Sequence, residues 1–205
     1  VLGDWENPYL TMASKFEADI VRSLGKIISK GYVNQGDKPV HWCVDCGSAL
    51  AEAEVEYEDK ISPSIDFSFP IDNKTVSTIF GQELDLPVFV ASWTTTPWTV
   101  PGNVALTVNA EFDYCLVQVT KDSKDFCLII GKDLVEGTLE RIDVKDFKIL
   151  GSCKGKKLES VGAKHPYLDR SSKFVLGDHV TTEVGTGIVH TSPGHGLEDY
   201  LVAKE

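Results

Sequence analysis

Two stretches of this 205-residue chain gather side chains that can do chemistry. Residues 92–103, Ser-Trp-Thr-Thr-Thr-Pro-Trp-Thr-Val-Pro-Gly-Asn, hold four threonines, two tryptophans and two prolines within twelve positions. Threonine favours strands and proline ends them, so a strand edge followed by a loop accounts for part of this composition. The functional reading is that hydroxyls and freed backbone amides at a strand end line a polar pocket. Residues 183–200, Glu-Val-Gly-Thr-Gly-Ile-Val-His-Thr-Ser-Pro-Gly-His-Gly-Leu-Glu-Asp-Tyr, run from a strand into a loop and toward a helix starting near Gly196. They concentrate four glycines, two histidines and three carboxylates. Glycine lets a backbone approach a ligand closely, and Asp199 in a first helical turn stays ionised beside the positive end of the helix dipole. Such a carboxylate suits a cation such as an α-ammonium group. Taken singly, His190 or His195 also reads as a loop residue bonded to backbone.

Other chemistries have weaker support. His190, His195 and Asp199 could ligate a metal by residue type, but their spacing matches no zinc-hydrolase pattern such as His-Glu-x-x-His. Ser192 does not sit in a Gly-x-Ser-x-Gly elbow, and Cys43 has no catalytic signature around it, so a protein nucleophile is unsupported. Cys43-x-x-Cys46 is half of a tetrahedral zinc site, without a second such pair in the chain. It reads as a structural half-site completed by sequence outside this chain, or as two unbound thiols; no βαβ unit surrounds it to suggest a redox pair.

The elements that must position these residues fall into two parts. Residues 14–30 carry a helical pattern: Ser14 is placed to cap with Glu17 three residues on, Phe16, Ile20, Leu24 and Ile28 share a face, and Gly31 ends it. The acidic stretch 51–58 reads equally as a strand or a helical turn. From about Ile65 short β-rich runs alternate with turn residues, at 65–69, 88–93, 103–108, 114–119, 127–130, 147–150, 174–176 and 187–190. A helix is expected at 133–141, where Leu134, Val135, Leu139 and Ile142 are spaced for one face. Many short strands at close spacing predict a barrel or sandwich.

Composition narrows the rest. With 42% hydrophobic and 25% charged residues the chain can bury a core. It has no apolar run of roughly 18 residues and no N-terminal targeting pattern, so no membrane partner is expected. The first residue is not Met and the last lie within a helical pattern, as in a piece cut from a longer protein. Five cysteines, three of them single within apolar runs, fit a reducing cytoplasm. A formal charge of −11 opposes stand-alone nucleic-acid binding, which Lys and Arg clusters drive by releasing counterions.

The residues then resemble a family. Trp93-Thr94-Thr95-Thr96-Pro97-Trp98-Thr99, Gly185-Thr186-Gly187-Ile188-Val189-His190 and Gly194-His195-Gly196-Leu197-Glu198-Asp199-Tyr200 are similar to the editing domain of bacterial-type isoleucyl-tRNA synthetases. The likeness extends to His41-Trp42-Cys43-Val44-Asp45-Cys46 and Ala49-Leu50-Ala51-Glu52-Ala53-Glu54. Thr96, Trp98 and His190 stand where valyl and leucyl relatives usually carry Arg, an acidic residue, and Lys or Met. Leu197-Glu198 departs from the Pro-Asp often found there.

The resemblance implies a mainly β fold with short helices, a closed barrel-like editing domain over 55–205, and a junction to the synthetic core over 1–54. It implies hydrolysis of valine wrongly attached to tRNA(Ile), after transfer and with a pre-transfer share left open. Asp199 would hold the α-ammonium, Thr94, Thr95 and Thr96 the amino acid and terminal adenosine, and His190 would help set the size limit. Asp199, His190 and Thr95 are the catalytic candidates; Trp98, Asn103 and His195 join the substrate-binding set. One methylene is worth only about 1–3 kcal/mol in a pocket, a limit for which isoleucyl-tRNA synthetases are a standard example, so a second, smaller pocket is needed to remove valine. Editing would need no cofactor; zinc at Cys43 and Cys46 would belong to the full-length enzyme, and ATP to the synthetic domain, whose His-Ile-Gly-His and Lys-Met-Ser-Lys-Ser type signatures this chain does not contain. The expected partners are the valine-bearing 3′ end of tRNA(Ile) and the rest of the synthetase in cis, with this piece monomeric. A non-catalytic tRNA-end binding module and a zinc-linked structural insert are the alternatives.

Overall fold

The structure, a computed structural model, describes residues 3–204 and divides after Asp37 into two compact units. The first contains α1, Ser14–Ser29. Its apolar residues recur at the expected helical spacing, and Tyr9 packs edge-on against Phe16 with ring centroids 4.8 Å apart. Ile20, Leu24 and Ile28 are exposed. The capping expected of Ser14 is not realised: Ser14 is already helical, and Ala13 occupies the cap position without a side-chain bond. The C-terminal end is as expected, with Gly31 at φ +77° and its amide donating to the Ile28 carbonyl at 2.9 Å.

The second unit opens with a small antiparallel hairpin, β1 (Trp42–Cys43) and β2 (Ser48–Ala49), whose turn carries Cys46. The acidic stretch beyond it forms a short 3-10 turn, Glu52–Glu54. Nine strands follow: β3 (Ile65–Ile71), β4 (Val88–Thr94), β5 (Ala105–Val108), β6 (Asp113–Lys121), β7 (Lys124–Gly131), β8 (Phe147–Lys154), β9 (Gly162–Lys164), β10 (Ser171–Leu176) and β11 (Val189–Thr191). They make one mixed sheet in the order β11-β5-β10-β9-β3-β4-β7-β6-β8. Among the described residues only the β4–β7 and β5–β10 pairs are parallel.

Side chains alternate across the strands and build a core on each face. Leu116 and Ile129 point into one cluster with Phe69, Val90, Leu106 and Phe174. Their neighbours Val117 and Ile130 point the other way, against Val135 and Leu139 of α3 (Val135–Arg141). Helix α2 (Asn73–Phe80) is absent from the sequence reading, although its signals are present: Asp72 accepts the Thr75 amide at 2.9 Å, and Gly81 ends it in the left-handed region at φ 67°. Helix α4 spans Leu197–Lys204. Among the described residues no helix is long and apolar enough to cross a membrane.

The mainly β expectation with short helices holds, but the expected closed barrel is not made as a strand ladder. Among the described residues no pairing joins the edge strands β11 and β8. Instead the turn before β11 meets β4 and β7 directly. The Gly131 amide donates to the Thr186 carbonyl at 2.8 Å, the Ser92 hydroxyl to the Ile188 carbonyl at 3.0 Å, and the Thr186 hydroxyl to the Ala91 carbonyl at 2.9 Å. Gly185 and Gly187, at φ +83° and +76°, take this turn out of extended geometry. The strand therefore begins at Val189, two residues later than the sequence suggests.

Candidate active site

Each half of the site hangs on the end of a strand. β4 stops at Thr94, and Pro97 starts a 3-10 turn, Pro97–Gly102, that folds the chain back toward β5. The Thr94 hydroxyl accepts the Thr96 amide at 3.1 Å, which ties the threonine loop to the strand end. Opposite, β11 pairs with β5 and sets His190 across from Leu106. The chain then runs through Ser192 and His195 into the first turn of α4, where Asp199 accepts the Ser192 amide on Oδ2 at 2.8 Å.

Six of the residues expected from the sequence, Thr94, Thr96, Trp98, His190, His195 and Asp199, line one cavity of about 290 Å³. Thr95 does not join them. It faces an adjoining cavity of about 220 Å³, bounded by His179, Thr181 and the 184–189 backbone, that shares the walls Trp93, Thr94 and Val189 with the first. Asn103 is fully buried and lies behind His190 instead of in the cavity. Sequence reasoning misses Trp93, Thr99, Val189 and Ser192 as lining residues. Trp93 and Thr99 lie within the singled-out Thr/Pro segment, and strand alternation from His190 does not reveal that its neighbour Val189 also reaches the cavity.

His190 is held from both sides. Nε2 lies 2.8 Å from the Thr99 hydroxyl, and Nδ1 lies 3.2 Å from Asn103 Nδ2. The ring also meets Phe67 edge-on, with centroids 5.9 Å apart. Burial pushes its pKa below the ordinary 6.5, and the nearby Asp199 carboxylate opposes that shift. His195 is exposed, with Nδ1 2.8 Å from the Ser192 hydroxyl. Gly102 makes this packing possible, because a Cβ there would fall 2.5 Å from Ser192 Oγ.

The arrangement can accept a cation on Asp199 and offers the Thr94, Thr96 and Thr99 hydroxyls to a polar group beside the rings of Trp93, Trp98 and His190. No three His, Cys, Asp or Glu side chains gather to hold a metal among the described residues. Cys43 and Cys46 form a pair: a hydrogen bond between the two thiols lowers the pKa of Cys43 and raises that of Cys46, and the Cys46 amide, donating to Cys43 Sγ at 3.2 Å, lowers Cys43 further. Two thiols are half the set of a structural tetrahedral zinc site.

Comparison with known proteins defines the class first. Residues 1–99 match the family model for class I tRNA synthetases (I, L, M and V). The fold superposes on the editing domain of the cytosolic leucyl-tRNA synthetase of P. knowlesi with a TM-score of 0.58 at 16% identity, over 67% of this chain and 59% of the other. The chain is thus a relative of the class I tRNA synthetases with the fold of a leucyl-tRNA synthetase editing domain.

Within that class its sequence goes with the isoleucine--tRNA ligases. It is 55% identical over its whole length to the enzyme of Shewanella baltica (strain OS155), and 54% identical over 98% of its length to that of Chromobacterium violaceum. The chain spans 22% and 21% of the length of these relatives.

Proposed function

We propose that this chain is the editing domain of an isoleucyl-tRNA synthetase and hydrolyses the ester joining misattached valine to the 3′ end of tRNA(Ile). The observation that carries this reading is the convergence, in one cavity, of the Asp199 carboxylate, the Thr94 and Thr96 hydroxyls and the His190 ring. Asp199 binds the α-ammonium, with its geometry set by the Ser192 amide. The buried, neutral His190 forms a wall that admits valine and crowds isoleucine. Thr95, in the adjoining cavity, is suited to the terminal adenosine. Hydrolysis then rests on holding the ester and a water in place, with the oxyanion met by loop amides or threonine hydroxyls and with help from a ribose hydroxyl of the substrate. In this reading residues 1–54 join the domain to the synthetic core in cis, ATP chemistry belongs to that core, and the enzyme works in the cytoplasm.

The test is release of valine from Val-tRNA(Ile) at high protein concentration, beside Ile-tRNA(Ile) and an Asp199→Ala variant. Selective hydrolysis of the valyl ester is expected. Loss of a charge-assisted contact worth about 1.5–3 kcal/mol would slow the variant by roughly ten- to 150-fold. Equal hydrolysis of both esters would overturn the reading. No hydrolysis, with a valyl-adenosine analogue still bound, would replace it with a binding module.

A further inference from the structure

We propose that Asn103 and Ser172, both outside the cavity, are positioning residues that fix His190 as a neutral imidazole with its proton on Nε2. The wall then meets the acyl group as an uncharged carbon edge and takes no part in proton transfer.

The argument follows hydrogen-bond direction atom by atom. Asn103 Nδ2 sits 2.8 Å from the Ala105 carbonyl. An oxygen could not stand there against another acceptor, so the amide orientation is fixed. Ser172 secures the other end by donating to Asn103 Oδ1 at 2.5 Å. The second hydrogen on Nδ2 therefore points at His190 Nδ1, which must accept it. With Nδ1 accepting, the ring proton resides on Nε2 and is donated to the Thr99 hydroxyl. That hydroxyl passes its own hydrogen to the Thr96 carbonyl at 2.8 Å. Every link runs one way, from β10 through Asn103 and the ring to the threonine loop.

Adding a proton to Nδ1 would oppose two donors across 3.2 Å, and turning the amide to relieve this would set Oδ1 against the Ala105 carbonyl. The titratable groups near the ring, Asp199, His195 and His165, do not bond to it and leave the chain of bonds intact. Asn103, Ser172 and Thr99 are all buried, so water does not substitute for any of these partners at no cost.

The tautomer stands independently of the proposed editing activity; its effect on acyl selection rests on it. Imidazole ¹⁵N–¹H spectra of the chain labelled at histidine, with His190→Gln for assignment, should show His190 with a protonated Nε2 and an unprotonated Nδ1. They should hold unchanged to about pH 5.5, below the usual histidine midpoint. Asn103→Asp places an acceptor at Nδ1 and should convert His190 into a titrating imidazolium. Ser172→Ala removes one of the two holds on the amide, leaving the Ala105 carbonyl alone, and should raise the minor Nδ1-protonated tautomer, while His165 signals report an intact fold. In hydrolysis assays both variants should raise the KM for the valyl ester several-fold more than they lower kcat. A wild-type ring protonated on Nδ1, or exchanging between tautomers, overturns the proposal, as does a His190 spectrum unchanged in Asn103→Asp. A locked tautomer together with no ester hydrolysis would sink the editing reading alone.

Discussion

In the proposed reading Asp199 and His190 divide the labour at the residue scale: one supplies charge, the other withholds it. If His190 measures size, His190→Ala should let the isoleucyl ester in. The discrimination available is that of one methylene, about 1–3 kcal/mol, so the ratio of kcat/KM for valyl over isoleucyl esters should fall by roughly five- to 150-fold. An unchanged ratio would place the size limit elsewhere. Burial also sets how stability responds to pH. Cys153 is pushed up from 9.0 to about 11 and Tyr114 from 10.0 to about 12, both chiefly by burial. The folded chain keeps protons that the unfolded chain releases, so stability is complete below pH 9 and is lost as pH climbs through 11 and 12. For His190 the folded pKa is lowered, so its contribution is present above 6.5 and is lost as pH falls below it. Urea unfolding midpoints across pH should trace a dome with both shoulders, and Cys153→Ala should soften the alkaline one.

The elements show which parts of the site a sequence can reveal. Strand ends and the α4 start are local, marked by Thr94–Pro97 and by Gly196 before Asp199; the two segments that hold these six cavity residues were legible from type and spacing, and their places in a site from the family resemblance. Asn103 was legible as a site residue through the resemblance but not as a buried one, because its place behind His190, 87 residues away in sequence, follows from the pairing of β5 with β11. Ser172 has no local signature at all; only the β10–β5 register brings it to Asn103. Helix α1 is misread at its start for the opposite reason, since a cap signal competes with a helix that simply begins one residue earlier. The glycine turn gives a direct test of element packing. Gly187 has φ +76°, and a Cβ on it would lie 3.1 Å from Gly131 Cα. Gly187→Ala should cost about 1–3 kcal/mol, read from the unfolding midpoint, through backbone strain and the lost close approach.

Across the whole molecule the thiols separate surface from core. Cys46 is exposed and Cys43 half-buried, whereas Cys115, Cys127 and Cys153 are buried, with pKa values raised by desolvation. A thiol reagent should modify two cysteines quickly at neutral pH and three only on unfolding. Rapid reaction of all five would mean that the sheet opens readily. In the proposed reading the charge of −11 bears on the tRNA partner: with 20 Lys and Arg against 31 Asp and Glu, an isolated domain must draw its affinity from the pocket itself.

The way the sheet closes has a consequence in time. β11 pairs with β5 over only three residues, and its approach to β4 and β7 rests on a few bonds from the glycine turn. The two halves of the cavity stand about ninety residues apart in the chain, so ordering this edge carries a large loop-closure cost for few bonds. The pocket is therefore expected to open before the cores do, which hydrogen exchange of the β11 amides compared with those of β6 and β7 would check. A partial opening that peels β11 away would abolish selection while the cores on both faces of the sheet stay folded.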